Sequence, residues 1–370
     1  MLVLRSRRAL RRLLWRPGEL GLARAYVTGD IDVDGDLTDG LRRAWQMSRS
    51  VAAESISLGV RARAVVRAVR LGALGLPPPA PVSEARLSGR LHTRGRDSAA
   101  IAHHYDLSND FYRLLLDDHM AYSCAYFTRE GLPLHDAQTA KLEMICRKLA
   151  LKPGMKLLDV GCGWGSLIVF AAQRYGVHCT GITLSAQQRD FVEARAAEFC
   201  LDRSVDVRLQ DYRDFDSAAG GFDAVASVEM GEHVGEELYP LYAGILYRAL
   251  KPGGRLVLQQ MSRRSDAAPG GGAFIEAYIA PDMHMRPLWQ TLRYLQDAGF
   301  EIRSVGAMRE HYARTAEHWM ETLDGRFDDF VALVGEEVAR VWRLYLAGGR
   351  LAFEEGRMGV DQVLAIKPER

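Results

Sequence analysis

The stretch KLLDVGCGWGSL, residues 156–167, decides the fold. Its first half is a short apolar run ending in Asp159 and Val160, and its second half is a turn with glycine at 161, 163 and 165. Glycines let a backbone bend sharply and approach a ligand without side-chain collision, and the helix that follows such a turn offers unpaired amides. On either side the chain keeps the same rhythm. The run HCTGITL (178–184) precedes an amphipathic stretch over 186–200; VDVRLQD (205–211) and FDAVASVEM (222–230) precede another over 236–250; GRLVLQQM (254–261) follows. Apolar runs alternating with helical stretches predict βαβ units, hence an α/β fold with a mostly parallel sheet covered by helices on both faces. Ligands of such sheets bind outside the carboxyl ends of the strands. Farther on, FEIRSVGAM (300–308) reads as a strand, residues 315–346 as one long helix, and GVDQVLAIKP (359–368) as a last strand closing the sheet edge.

The chain has 370 residues, 48% hydrophobic and 26% charged, the composition of a water-soluble protein with a full core. No apolar run approaches the ~18 residues of a membrane span, which excludes a transmembrane protein. Five cysteines (124, 146, 162, 179 and 200) are too few, and odd in number, for a disulfide framework, and a reducing cytoplasm suits them. The basic start MLVLRSRRALRRLLWRPGEL lacks the uninterrupted apolar segment of a secretory signal and reads as part of the mature protein.

A net charge of +1 hides an asymmetry. Residues 1–96 hold 18 Arg, no Lys and 8 acids, whereas residues 97–370 hold 30 basic and 39 acidic residues. A basic first quarter points to a polyanionic partner. Leu10, Leu13, Leu14 and Trp15 fall near one helical face with Arg5, Arg8, Arg11, Arg12 and Arg16 around them, and VRARAVVRAVRLGALGL (60–76) repeats the arrangement. That is the pattern of helices lying in a lipid headgroup layer. Nucleic acid is disfavoured, because stacking aromatics are not interleaved with the basic residues. Residues 77–97, rich in Pro, Gly and Arg, read as a linker. The expected organisation is a small, mainly helical, basic domain at 1–76, the linker, and an α/β domain at 98–370.

A glycine-rich turn alone is weak, since nicotinamide and flavin enzymes use a similar one. Its neighbours sharpen it: Asp159 before the turn; GITLSAQQ (181–188), with Thr183 and Gln188 in place of a ribose-gripping acid; DYRDF (211–215); and LKPGG (250–254) before the fifth strand. Together these resemble the class I S-adenosylmethionine (SAM) methyltransferases.

Several rarer strings narrow the resemblance. HHYDLSNDFY (103–112), MAYSCAYF (120–127), LLDVGCGWGSL (157–167), GITLSAQQ, EMGEHVG (229–235), FIEAYIAP (274–281) and HYARTAEHW (311–319) look like the cyclopropane fatty acid synthase family, over nearly all of residues 100–370. AYVTGDIDVDGDL (25–37) is similar to the family's amino-terminal lipid-recognition domain. The resemblance implies methyl transfer from SAM to a cis double bond of an acyl chain in a phospholipid. An alkene is a poor nucleophile, so such an enzyme must align it with the methyl donor, tolerate a carbocation in a dry aromatic pocket and remove a proton.

By the same resemblance a bound bicarbonate serves as base, held by a Cys, a Glu, a His, a Tyr and a backbone amide. Cys124, Glu232 and Tyr312 match, with Glu229 as a partner one helical turn before Glu232. The His position, however, holds Gln259, which can donate and accept but cannot take up a proton near neutral pH. This departure puts bicarbonate in question and favours an exocyclic methylene product, as on the route to tuberculostearate-type branches, over the cyclopropane. The resemblance places Tyr122 and Ser123 over SAM, Gly161 and Gly163 at its methionine and ribose, Thr183, Leu184 and Gln188 on the ribose side, and Asp211 and Tyr212 at the adenine. His103, His104 and His119 lack a carboxylate or Cys at ligand spacing, so no metal is expected, and Cys162 reads as a small residue facing the sheet. Rival readings are a methyltransferase of soluble small molecules and a non-catalytic lipid-binding protein. The expected location is the cytoplasm, peripherally on the inner face of the membrane. A reductase completing the branch and a homodimer are compatible with the sequence, which specifies neither.

Overall fold

The computed structural model describes residues 1–53, 59, 63, 66–67, 70–71, 73, 75–85, 89–105, 107–216 and 221–369. A short antiparallel pair, β1 (Leu2–Leu4) and β2 (Ile31–Val33), belongs to the amino-terminal segment. The main sheet comprises β3 (Lys156–Val160), β4 (His178–Thr183), β5 (Val205–Leu209), β6 (Phe222–Val228), β7 (Leu250–Ser262), β8 (Glu301–Ala307) and β9 (Gly359–Ile366), in the order β5-β4-β3-β6-β7-β9-β8. The first five strands are parallel, and β9 runs antiparallel to both β7 and β8.

The period of two along β3 explains how both faces are covered. Leu157 joins a core with the helices Leu134–Lys148, Ser166–Tyr175 and Ala186–Glu198, while Leu158 and Val160 join a core with Tyr239–Ala249 and Leu288–Asp297 on the opposite face. A third core, rich in aromatics, unites helix Asn109–Leu115, the carboxy-terminal helices and part of the amino-terminal segment.

Three expectations are corrected. The last strand does not close the edge: β9 lies inside the sheet because it is apolar on both faces (Val360, Val363 and Ala365 are buried), whereas the largely exposed β8 takes the edge. The long helix over 315–346 is three helices, Arg309–Gly325, Phe327–Val334 and Glu336–Glu354, the last two parted by Gly335 at φ +81°. Such a left-handed residue stops a helix cheaply only as glycine. In the amino-terminal helix Arg8–Trp15 it is Ala9 and Arg12 that turn inward, while Leu14 and Trp15 are exposed. Arg12 is buried because Asp30 pairs with it at 2.9 Å and the Pro79 carbonyl accepts from its Nη1. The second basic stretch, 60–76, falls largely outside the described residues.

The amino-terminal segment packs on the rest of the chain. Arg340, in the last helix, donates to the carbonyls of Tyr26 and Ile31, and Arg42 pairs with Glu354. Among the described residues no helix is long and apolar enough to cross a membrane.

Candidate functional site

At the carboxyl end of β3, Gly161 (φ +83°) and Gly163 (φ +54°) turn the chain into helix Ser166–Tyr175. A Cβ on Gly161 would come 2.7 Å from Met230, while at Gly163 it would meet open space, so the second glycine is required by its backbone angle and leaves room in front of the helix. A cavity opens over this turn. Gly161, Gly163, Thr183, Leu184 and Gln188 line it, and Tyr122, Ser123 and Tyr212 line it from other sides. Ser185 caps the helix Ala186–Glu198 by accepting from the Gln188 amide, and Thr183 Oγ1 donates to Gln188 Oε1 at 2.7 Å, which fixes both groups at the rim.

Asp211 departs from its expected place. Its carboxylate accepts from the backbone and side chain of Arg213, an ion pair at 2.5 Å, and it is Gln210, Tyr212 and Arg213 that reach the cavity wall. Two residues were not singled out as ligands from the sequence. Asp159 is 2% exposed, its Oδ1 has no hydrogen-bond partner among the described residues, and burial, partly offset by Lys141, lifts its pKa to about 7. Lys141, 1% exposed, donates from Nζ to Ser123 Oγ at 2.7 Å. A buried, unsatisfied carboxyl asks for a donor. The methionine ammonium of SAM is such a donor, so the lining of this cavity fits that group. Cys162 is buried with its sulfur packed toward Gly181 of β4, as a small sheet-facing residue.

Three of the expected anion-site residues, Cys124, Gln259 and Tyr312, meet on one carboxylate, and it is that of Glu229. The backbone N–H of Cys124 donates to its Oε1 at 2.8 Å, Gln259 Nε2 donates to the same oxygen at 2.8 Å, and the Tyr312 hydroxyl donates to Oε2 at 2.6 Å. Glu229 also lines the cavity over the glycine turn. The strand register builds this hub: Val228 of β6 pairs with Gln259 of β7, which pairs with Gln362 of β9. Gln362 Nε2 donates to Gln259 Oε1 at 2.9 Å, and Lys148 Nζ donates to Gln362 Oε1 at 2.6 Å. Each amide is thereby oriented by its neighbour, and Gln259 is left presenting its NH2 to Glu229.

Glu232 makes none of these bonds. It is fully buried, its Oε1 accepts from the Met261 amide at 3.2 Å, and its Oε2 has no partner among the described residues. The segment is not the α-helical turn that would place both acids on one face: Glu229 has φ +54° and residues Gly231–His233 form a 3-10 turn. Burial and the neighbouring charge of Glu229 push the Glu232 pKa up to about 8. Burial also raises Glu229, but its three donors and Lys141 oppose that rise. Of this pair, Glu229 is the one whose hydrogen-bond donors favour the charged form. The Cys124 thiol is raised well above its ordinary value by burial and by Glu229, and its Sγ donates to the Ala125 carbonyl. Its contribution to the hub is its backbone amide.

Aromatic rings wall the hub. Tyr312 stacks on Phe353 at 4.3 Å and lies within helix Arg309–Gly325 rather than before it; Tyr122 lies 5.2 Å from Trp319, and Tyr112 lies 4.2 Å from Trp164. Away from the site, Asp117, His119 and His135 bring one ligand atom each within 4.8 Å of the others. Asp117 already accepts from the amides of His119 and Ala121, and His119 Nε2 bonds Thr139 Oγ1. The side chains of His103 and His104 lie outside the described residues.

Residues 92–363 match the family described as mycolic acid cyclopropane synthetase. A probable fatty acid methyltransferase of Mycobacterium tuberculosis is 39% identical, over 98% of this chain and 86% of its own length. A probable fatty acid methyltransferase of Pseudomonas putida is 37% identical, over 96% of this chain and 84% of its own. Among solved structures, a mycolic acid cyclopropane synthase complexed with SAH and CTAB aligns with a TM-score of 0.69 at 33% identity, covering 73% of this chain and 98% of that one.

Proposed function

Since this chain belongs to the mycolic acid cyclopropane synthetase family of SAM-dependent methyltransferases, we propose that it methylates the cis double bond of unsaturated fatty acyl chains in phospholipids. The observation that carries this reading is a buried carboxylate, Glu229, held by three donors on the wall of the SAM cavity and surrounded by aromatic rings. Bound SAM supplies an electrophilic methyl group. The chain's residues supply the rest: Asp159, Thr183 and Gln188 hold the donor, and the aromatic wall excludes water and faces a cation with π electrons. The Cys124 thiol stays protonated, so no thiolate is present to trap that cation.

We favour an exocyclic methylene as product. After methyl addition the cation lies on the neighbouring alkene carbon. A hydride shift from the methylated carbon makes it tertiary, and loss of a methyl proton then leaves the methylene; direct ring closure with loss of the same proton gives the second reading, a cyclopropane. Gln259 in place of the histidine that the family resemblance leads one to expect supports the first route. Lipid contact by residues 1–76 is supported by the Arg-rich segment and by Met1, Leu2, Leu4 and Trp15, all more than half exposed. The proposal includes a peripheral location on the cytoplasmic face of a membrane and is compatible with a separate reductase that completes a methyl branch.

The test is incubation with trideuteromethyl SAM and dioleoyl phospholipid vesicles, read by mass spectrometry and proton NMR of the acyl chains. Two deuteriums in an exocyclic methylene are expected. Two in a ring carbon would establish the cyclopropane, and no incorporation into any acyl chain would refute acyl methylation.

A further inference from the structure

We propose that the Glu229 carboxylate is the general base of this reaction, standing where a bound bicarbonate would otherwise sit, and that Gln259, Gln362 and Lys148 form a positioning chain that holds it. The proposal rests on the acyl-methylation reading above. A bicarbonate needs donors, and those the resemblance assigns to it, Tyr312 and the Gln at the His position, already donate to Glu229, as does the Cys124 amide. A carboxylate and a bicarbonate present the same planar pair of acceptor oxygens, so one satisfies these donors as well as the other.

The backbone records the same commitment. Glu229 sits in the left-handed region at φ +54°, which is costly for a residue with a Cβ and persists where the surroundings over-determine it. The strain is held by the Glu229 N–H bond to the Gln259 carbonyl and by the three bonds to the side chain. Of the two acids in the segment, Glu229 alone lines the SAM cavity, whereas Glu232 is enclosed behind it.

The step balances. The C–H electron pair of the transferred methyl becomes the second bond of the methylene, the proton passes to a Glu229 oxygen, and Glu229 leaves the step as a neutral acid that later returns its proton to solvent. Donors on both oxygens disfavour an ester between Glu229 and the cation while leaving lone pairs for a proton. Gln259 does not accept that proton. Its Oε1 is taken by Gln362, whose own Oε1 is taken by Lys148, so its NH2 stays turned to the carboxylate.

The experiment compares the wild type with Glu229→Gln and Glu229→Gly in buffers stripped of carbon dioxide and in 10 mM bicarbonate. Wild-type turnover is expected to be the same in both. Glu229→Gln should lose about 100-fold or more, the usual contribution of a general base, while calorimetric SAM affinity stays within about twofold. Glu229→Gly relieves the left-handed strain and vacates the donors, so it should fold, lose turnover without bicarbonate and regain it when bicarbonate is added. A wild type that needs bicarbonate, or a Glu229→Gln enzyme that keeps its turnover, would overturn the proposal. Carbon-13 bicarbonate NMR judges the site apart from the substrate: a bound signal in Glu229→Gly and none in the wild type supports it, and a bound signal in the wild type refutes it. That readout stands even if no acyl chain is methylated.

Discussion

Replacing Tyr312 with Phe removes one hydroxyl and keeps the ring stacked on Phe353. Among the described residues that hydroxyl is the sole side-chain donor to Glu229 Oε2, at 2.6 Å, and Tyr312 is 5% exposed, so water cannot readily take its place. A hydrogen bond to a charged group contributes about 1.5–3 kcal/mol, and a pKa moves by one unit for about 1.4 kcal/mol. The bond stabilises the ionised form, and its loss therefore raises the Glu229 pKa by about one to two units. A base acts deprotonated, so the acid limb of the kcat/KM profile should move up by that amount, with activity at high pH largely kept. The assay is kcat/KM against pH from 5 to 9.5 on oleoyl phospholipid. A uniform loss at every pH with an unmoved acid limb would refute the reasoning, because it would mean that Tyr312 serves the substrate directly instead of tuning Glu229.

Glu232 tests the contrast between the two acids. Its folded pKa of about 8 lies above the ordinary carboxylate value, so between those two pH values the native state holds a proton that the unfolded chain has lost, and stability falls as pH rises. Glu232→Gln removes this penalty and should raise Tm by several degrees at pH 8, with the gain vanishing near pH 4; a gain independent of pH would contradict a protonated Glu232. Asp159→Ala should weaken SAM binding about tenfold by calorimetry, the worth of one lost charge-assisted bond, and unchanged affinity would remove Asp159 from the cofactor site. Leu2→Asp combined with Leu4→Asp should reduce cosedimentation with anionic vesicles while turnover on detergent-dispersed acyl substrate is kept; equal vesicle binding would relocate the lipid contact away from this exposed edge.

The main sheet was legible because its signals are local. Each strand carries its own apolar run, and the turn at 161–165 announces itself through its glycines. What was not legible depended on the partners an element finds. The placement of β9 inside the sheet needed comparison of its two apolar faces with the exposed β8, and the buried role of Arg12 needed Asp30, eighteen residues away, and the Pro79 carbonyl. The choice between Glu229 and Glu232 was hidden for a related reason. Spacing of three suggests one helical face, and nothing in VEMGEH reveals a residue at φ +54° followed by a 3-10 turn. A signal did exist in the pairing of Gln259 with a second acid near the sheet's carboxyl edge. Taken alone, Gln259 looks like the loss of a proton-carrying imidazole. Beside Glu229 it is the better partner, since a histidine would titrate together with the carboxylate, whereas an amide fixed by Gln362 and Lys148 donates one hydrogen bond at every pH and leaves the proton to the acid.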